Sequence, residues 1–181
     1  MADHVIRTAV LGDAVMLHLL AAATYPMAAP GAPQEDIILH IDAHLSVERF
    51  REYLRDEDRH LYIAEVNGTP AGYAMLNLHE QTDPVVAEML GHSPSVELSK
   101  FYLLAGRHGS GLADDLLRVV LDDARDAGAA SVWLGVHDEN DRPNHFYDRH
   151  DFTRRGLKTF QIGTFTEPDL IREKTLWASL P

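Results

Sequence analysis

The sequence predicts a mixed α/β fold, a central sheet of about seven strands flanked by helices, and three features carry that expectation. Two apolar runs, 60–66 and 71–78, flank Asn67-Gly68, the strongest short signal for an antiparallel hairpin in the chain. A strand-like run at 96–104 leads through a glycine-rich turn into a helical pattern of Ala113, Leu116, Leu117, Val120, Leu121 and Ala124, and then into the buried-type strand 132–136. That order makes a right-handed parallel crossover unit. A sheet containing both units has to be mixed.

Element by element, a first strand at 5–10 is followed by Gly12-Asp13, where Asp13 is placed to cap a helix carrying Met16, Leu17, Leu19 and Leu20. Segment 25–33 holds Pro26, Pro30, Gly31 and Pro33, which argue against regular helix, so it reads as a connection that borders a substrate site or simply links elements. Helices are expected at 36–44 and again after Ser46, with Phe50, Tyr53 and Leu54 on one face. Beyond the hairpin, a loop with Gly91 and Pro94 precedes the 96–104 strand, and Gly128 stops the long helix. After Asn140 comes a short helix through Phe146 and Tyr147. Phe152 then opens strand material at 157–162 and 171–177.

The 181 residues, 45% of them hydrophobic, suffice for one domain spanning 1–181. Absent any long apolar run or basic leader, the expectation is a soluble, cytoplasmic protein without a membrane partner. With no cysteine, disulfides, thiolate metal sites and cysteine nucleophiles are excluded. A formal charge of −12 disfavours nucleic acid as partner and makes a cationic one more plausible. The acidic pairs on the long helix read as a solvated face.

The turn itself, Arg107-His108-Gly109-Ser110-Gly111-Leu112-Ala113, lies at the carboxyl end of a strand and opens a helix. Two glycines let the main chain approach a ligand, and the free N–H groups of the first helical turn favour an anion. Phosphate or pyrophosphate fits, although such a turn can be merely a tight connection. A P-loop is excluded for want of its Lys-Ser/Thr, and Asp114 stands where a dinucleotide fingerprint needs its third glycine.

Two motifs together resemble the GNAT superfamily of acetyl-CoA-dependent N-acetyltransferases. The family's Arg or Gln, two residues, Gly, one residue, then Gly or Ala is matched by His108-Gly109-Ser110-Gly111-Leu112-Ala113. Its Asn followed by Phe-Tyr and a Gly-Phe-like pair is matched by Asn140, Phe146-Tyr147 and Asp151-Phe152. The departures are His108, with Arg107 beside it, and Asp151 in place of glycine.

The resemblance implies acetyl-CoA as cosubstrate, with Phe101, Tyr102 and Leu103 pairing with the pantetheine arm. It places Arg107, His108, Gly109, Ser110, Gly111, Leu112 and Ala113 at the pyrophosphate, and Asn140 across the arm, where Asn140 also reads as a helix N-cap. Tyr147 is the expected general acid: the reaction expels a thiolate, and a phenol of ordinary pKa about 10 is protonated at pH 7. The nucleophile must be a neutral amine, and a lysine-like amine is free base only about once in 2,500 at pH 7. A carboxylate that relays the proton through water eases this. Glu97 holds a position similar to that of the family's base, with His79 and Glu80 as substitutes and an ion pair with Lys100 as the competing role.

Further similarity to the bacterial polyamine acetyltransferase branch, in Glu97-Leu98-Ser99-Lys100-Phe101-Tyr102 and in Phe160-Gln161-Ile162-Gly163 followed by Asp169, implies a small cationic acceptor. Another amine (an aminoglycoside, an amino acid or a protein N-terminus), a non-catalytic CoA-binding module, and a different phosphate ligand stay open, as does a homodimer. His137-Asp138-Glu139, Asp141 and His145 follow no established ligand spacing, so no metal is expected.

Overall fold

Asn67 and Gly68 set the centre of the sheet. In the computed structural model of the chain, which describes residues 3–106 and 110–177, both take positive φ, 51° and 74°. This is the turn geometry that follows the natural twist of two antiparallel strands. The strands it joins are β2 (Arg59–Val66) and β3 (Thr69–Asn77), and β1 (His4–Thr8) pairs antiparallel with β2.

Between β1 and β2 run α1 (Ala14–Ala28), α2 (Gln34–His44) and α3 (Val47–Arg55). The Ser46 hydroxyl accepts the Arg49 N–H and caps α3 as expected. Asp13 does not cap α1. Its carboxylate instead accepts from the Arg7 guanidinium at 2.8 and 2.9 Å and from the Val10 N–H at 2.8 Å, and these donors outcompete the helix terminus. The expectation that Pro26 ends the helix also fails, because α1 runs through it to Ala28. Pro26 lies in the last turn, where its missing donor costs a single bond, and packing holds the turn: Tyr25 is buried and stacks on His40, ring centroids 4.3 Å apart.

After β3, α4 (Pro84–Met89) stands where a loop was expected; Asp83-Pro84 starts it, with Asp83 accepting the N–H groups of Val85 and Val86. Then come β4 (Ser95–Leu103), α5 (Leu112–Asp126), β5 (Ser131–His137), α6 (Asp141–Arg149), β6 (Thr153–Ile162) and β7 (Phe165–Thr175). The strand order is β1-β2-β3-β4-β5-β7-β6, and every neighbouring pair is antiparallel except β4 and β5, which are parallel. The predicted seven-stranded mixed sheet with its α5 crossover is therefore present. β6 and β7 both begin earlier than expected and close around Gly163-Thr164.

Helices cover both faces. On one, Leu112, Leu116, Leu117 and Val120 of α5 pack with Tyr147 and Phe152 against Leu98, Leu103 and Leu134. On the other, Leu17, Leu20 and Phe50 pack against Leu61, Ile63, Tyr73 and Met75. Each such side chain contributes roughly 1.5–3 kcal/mol on burial, so the two layers hold the sheet rigid between them. Among the described residues, no helix is long and apolar enough to cross a membrane.

Candidate functional site

The sheet splits in the middle. β4 and β5 pair only at Ser95 with Ser131, Val96 with Val132 and Glu97 with Trp133. Beyond that point β4 stays with β3 as far as Leu103, while β5 stays with β7 as far as His137. A bulge starts the divergence: Leu98 faces Leu76 and Lys100 faces Met75, leaving Ser99 unmatched. An extra residue twists a strand away from its neighbour. Two main-chain edges therefore face each other across a gap, each missing a ladder partner.

A cavity of about 1220 Å³ occupies this gap. Glu97, Phe101, Tyr102, Leu103, Gly111, Ala113, Asn140 and Tyr147, all singled out from the sequence, line it. Arg107, His108 and Gly109 lie outside the described residues. Ser110 is exposed and Leu112 is fully buried in the core, so neither side chain lines the cavity. Gly111 has φ 85°, which favours glycine, and it starts α5 with no capping side chain, so the first-turn N–H groups stay available for an anion. The nearby carboxylates of Asp114 and Asp115 are drawn to His150 (2.8 Å) and His4 (3.3 Å).

Tyr147 reaches the gap from α6. It is 6% exposed and packed among Phe101, Phe146 and Phe152 at ring distances of 5.3–6.4 Å. Burial raises its phenol above the ordinary value, so it stays a proton donor across the physiological range. The helix that carries it is pinned by a buried network absent from the sequence reading. Asn144 donates to the carbonyls of His137 and Asn140, and its own oxygen accepts two bonds from Arg172, which also reaches Asp148 at 2.6 Å. Asn140 occupies the N-cap position without capping; its side chain donates to the Met27 carbonyl at 3.3 Å, linking α6 to the end of α1. Asp151, standing where the similar pattern has glycine, has φ 60°, a left-handed conformation that Asp tolerates.

Glu97 is held by the Asn77 amide at 3.1 Å. No ion pair joins it to Lys100 among the described residues; burial brings the Lys100 ammonium down to about 8, against the pull of Glu97, and its Nζ lies 5.4 Å over the Tyr53 ring. His79 and Glu80 do not line the cavity, and His79 is engaged by Asp56 at 2.8 Å. Among the described residues, three metal-type ligands converge only at Asp56, Asp58 and His79, on the surface, and not at the His137-Asp138-Glu139 segment.

One cluster escaped the sequence reading. Glu167 and Asp169 of β7 line the cavity with His137, Tyr25 and Tyr102. Glu167 is 5% exposed, with Oε2 unbonded and 3.6 Å from His137 Nε2. Burial, then the charge of Asp169, lifts Glu167 to about 7; burial lifts Asp169 to about 6. The same two carboxylates add to burial in holding the Tyr102 phenol at about 12. The available signal was alternation, since Glu167, Asp169, Ile171 and Glu173 share one strand face.

The site thus combines an open pair of strand edges, a helix N-terminus at the end of one strand, a buried phenol and several carboxylates. An extended amide-bearing chain ending in an anion fits the first two, and proton transfer fits the others. The Acetyltransferase (GNAT) family model matches residues 20–152. An uncharacterized N-acetyltransferase of Mycobacterium tuberculosis (strain ATCC 25618 / H37Rv) is 41% identical over 165 residues, covering 91% of this chain and 98% of that protein. The fold is similar to that of PaiA N-acetyltransferase from Thermoplasma acidophilum in complex with coenzyme A (TM-score 0.73, 20% identity, 96% of this chain and 99% of that one). It is also similar to the ribosomal-protein-S18-alanine N-acetyltransferase from Escherichia coli (TM-score 0.69, 14% identity, 98% and 96%).

Proposed function

We propose a function from one premise: this chain belongs to the GNAT family of acetyltransferases, and it is an acyltransferase. In our reading residues 1–181 act as one domain that transfers the acetyl group of acetyl-CoA to a primary amine, and the acceptor is a small cation such as a polyamine. The observation that carries it is the separation of β4 from β5 beyond Glu97, with the anion-favouring start of α5 beside it. Main-chain groups at Phe101, Tyr102 and Leu103 supply the missing-strand contacts for a pantetheine arm, and residues 107–113 its pyrophosphate. When bound, acetyl-CoA supplies an activated acyl carbon.

Glu97, fixed by Asn77, takes the proton of the amine through water, and the free amine attacks that carbon directly. A C–N bond forms, the C–S bond breaks, and the attacking nitrogen gives up its second proton to water, from which the phenol that protonates the leaving group is restored. The Tyr147 phenol donates its proton to the departing thiolate, a role suited to a hydroxyl that burial keeps protonated. The net charge of −12 favours the approach of a cationic acceptor. The test is thiol release from acetyl-CoA, screened over polyamines, amino acids, aminoglycosides and peptides. Polyamine-dependent release is expected. Release that ignores every amine overturns the reading, and dependence on peptides or aminoglycosides alone overturns the choice of acceptor.

A further inference from the structure

Glu167 and Asp169 have no part in the steps above, yet these carboxylates, the first buried and the second half-buried, face the same cavity without being fully bonded. Oε2 of Glu167 and Oδ1 of Asp169 are buried and accept no hydrogen bond within the protein. Leaving such atoms unpaired is costly unless a ligand completes them. Gly135 of β5 leaves room for the Asp169 carboxylate beside it: a Cβ added there would lie 3.2 Å from Asp169 Oδ2.

The positions of Glu97 and this pair within the sheet separate them. Glu97 is level with Trp133 on β5, and Trp133 pairs with Glu173 on β7; Asp169 pairs with His137, four residues further along. That is roughly 13 Å along the strands, and β4 and β7 lie two strand spacings, about 10 Å, apart. One ammonium group cannot meet both carboxylate stations. A chain bearing two separated ammonium groups can.

We propose that Glu167 and Asp169 bind a second, non-reacting ammonium of the acceptor by charge-assisted hydrogen bonds, so that this chain selects amines with two or more separated cationic groups. The inference rests on the amine-acetylation reading and deepens it by assigning specificity to residues of β7. The surroundings suit a cation. Tyr102 of β4 and Tyr25 of α1 line the cavity with the pair, and Asp138 after β5 adds negative charge. The opposing groups are His137 of β5, 3.6 Å from Glu167, and Lys158 of β6, whose ammonium is held by Asp83. Lys100 of β4 lies by Glu97 rather than by the pair. Binding needs the carboxylates ionised, so the KM for a diamine rises as pH falls through about 7 and 6, while that for a monoamine of equal length does not gain this added rise.

The experiment compares spermidine and spermine with n-butylamine on the whole chain, in wild type and in Glu167→Gln/Asp169→Asn, with acetyl-CoA affinity measured for both. Wild type is expected to prefer the two polyamines in kcat/KM by about ten- to a hundredfold, the range that ammonium–carboxylate hydrogen bonds carry. The double variant is expected to lose that preference through KM while retaining acetyl-CoA affinity. Wild type that acetylates n-butylamine as well as spermine, or a double variant that keeps the preference, overturns this inference and leaves the amine reading intact. Wild type that releases thiol with no amine at all overturns both.

Discussion

Replacing Arg172 with methionine removes the pin that holds α6, and with it Tyr147, against the sheet. Arg172 is fully buried; its Nε and Nη2 donate to Asn144 Oδ1 at 3.1 and 2.8 Å, and its Nη1 to the Phe152 carbonyl at 3.1 Å and to Asp148. Methionine fills much of the stem volume, so the cavity contribution is small. Two buried acceptors, Asn144 Oδ1 and the Phe152 carbonyl, lose their guanidinium donor, at about 1–3 kcal/mol each. Asp148 is left out because water reaches its carboxylate. The sum is about 2–6 kcal/mol, which in a chain of this length lowers Tm by about 4–24 °C, with a central value near 12 °C. Scanning calorimetry and urea unfolding followed by tryptophan fluorescence measure it. A change below about 1 kcal/mol would refute the reasoning, because it would show the buried ion network to be replaceable by apolar packing.

Tyr147→Phe is expected to lower kcat by about 10²–10⁴ while acetyl-CoA affinity stays near wild type in calorimetry; unaltered turnover removes the acid from Tyr147. Gly72→Ala would place a Cβ 2.6 Å from the Tyr102 carbonyl oxygen and 3.2 Å from Leu103 Cα, pushing β4 off β3 along the open edge proposed for the coenzyme. It should cost about 1–3 kcal/mol and weaken acetyl-CoA binding, and wild-type values for both would deny the close approach. Glu167 titrates near 7 in the folded chain against about 4.3 unfolded, so the folded state binds this proton more tightly and its ionisation opposes folding. The Glu167→Gln chain should therefore have a higher urea midpoint than wild type at pH 8, with the difference shrinking by pH 5.5; an equal or lower midpoint at pH 8 contradicts that sign.

Much of the sheet could be read from local chemistry. Asn67-Gly68 needed two positive φ angles and found them, and the α5 stripe of Leu116, Leu117, Val120 and Leu121 could only face a core. The end of β4 and the start of α5 were legible for a similar reason, since the strand and the helix N-terminus follow closely in the chain. What stayed hidden is what tertiary packing decides. Pro26 reads as a breaker until Tyr25 stacks on His40 of another helix. Asp13 reads as a cap until Arg7 takes its carboxylate. The partner of Arg172 is 28 residues away, and no spacing rule joins them. Glu167, Pro168 and Asp169 look like loop because proline and acidic residues are poor strand formers, whereas β7 carries Pro168 opposite Thr159 and so turns both carboxylates inward.

The central claim is that the open edge of β4 receives the pantetheine arm as a neighbouring strand would. Hydrogen exchange of the amides in residues 98–103 and 134–137, followed with and without acetyl-CoA, tests it most directly. The amides facing the gap, which lack a ladder partner in the free chain, are expected to become protected on addition of acetyl-CoA, while those of β6 do not change. Saturating acetyl-CoA that leaves residues 98–103 exchanging as before would contradict it.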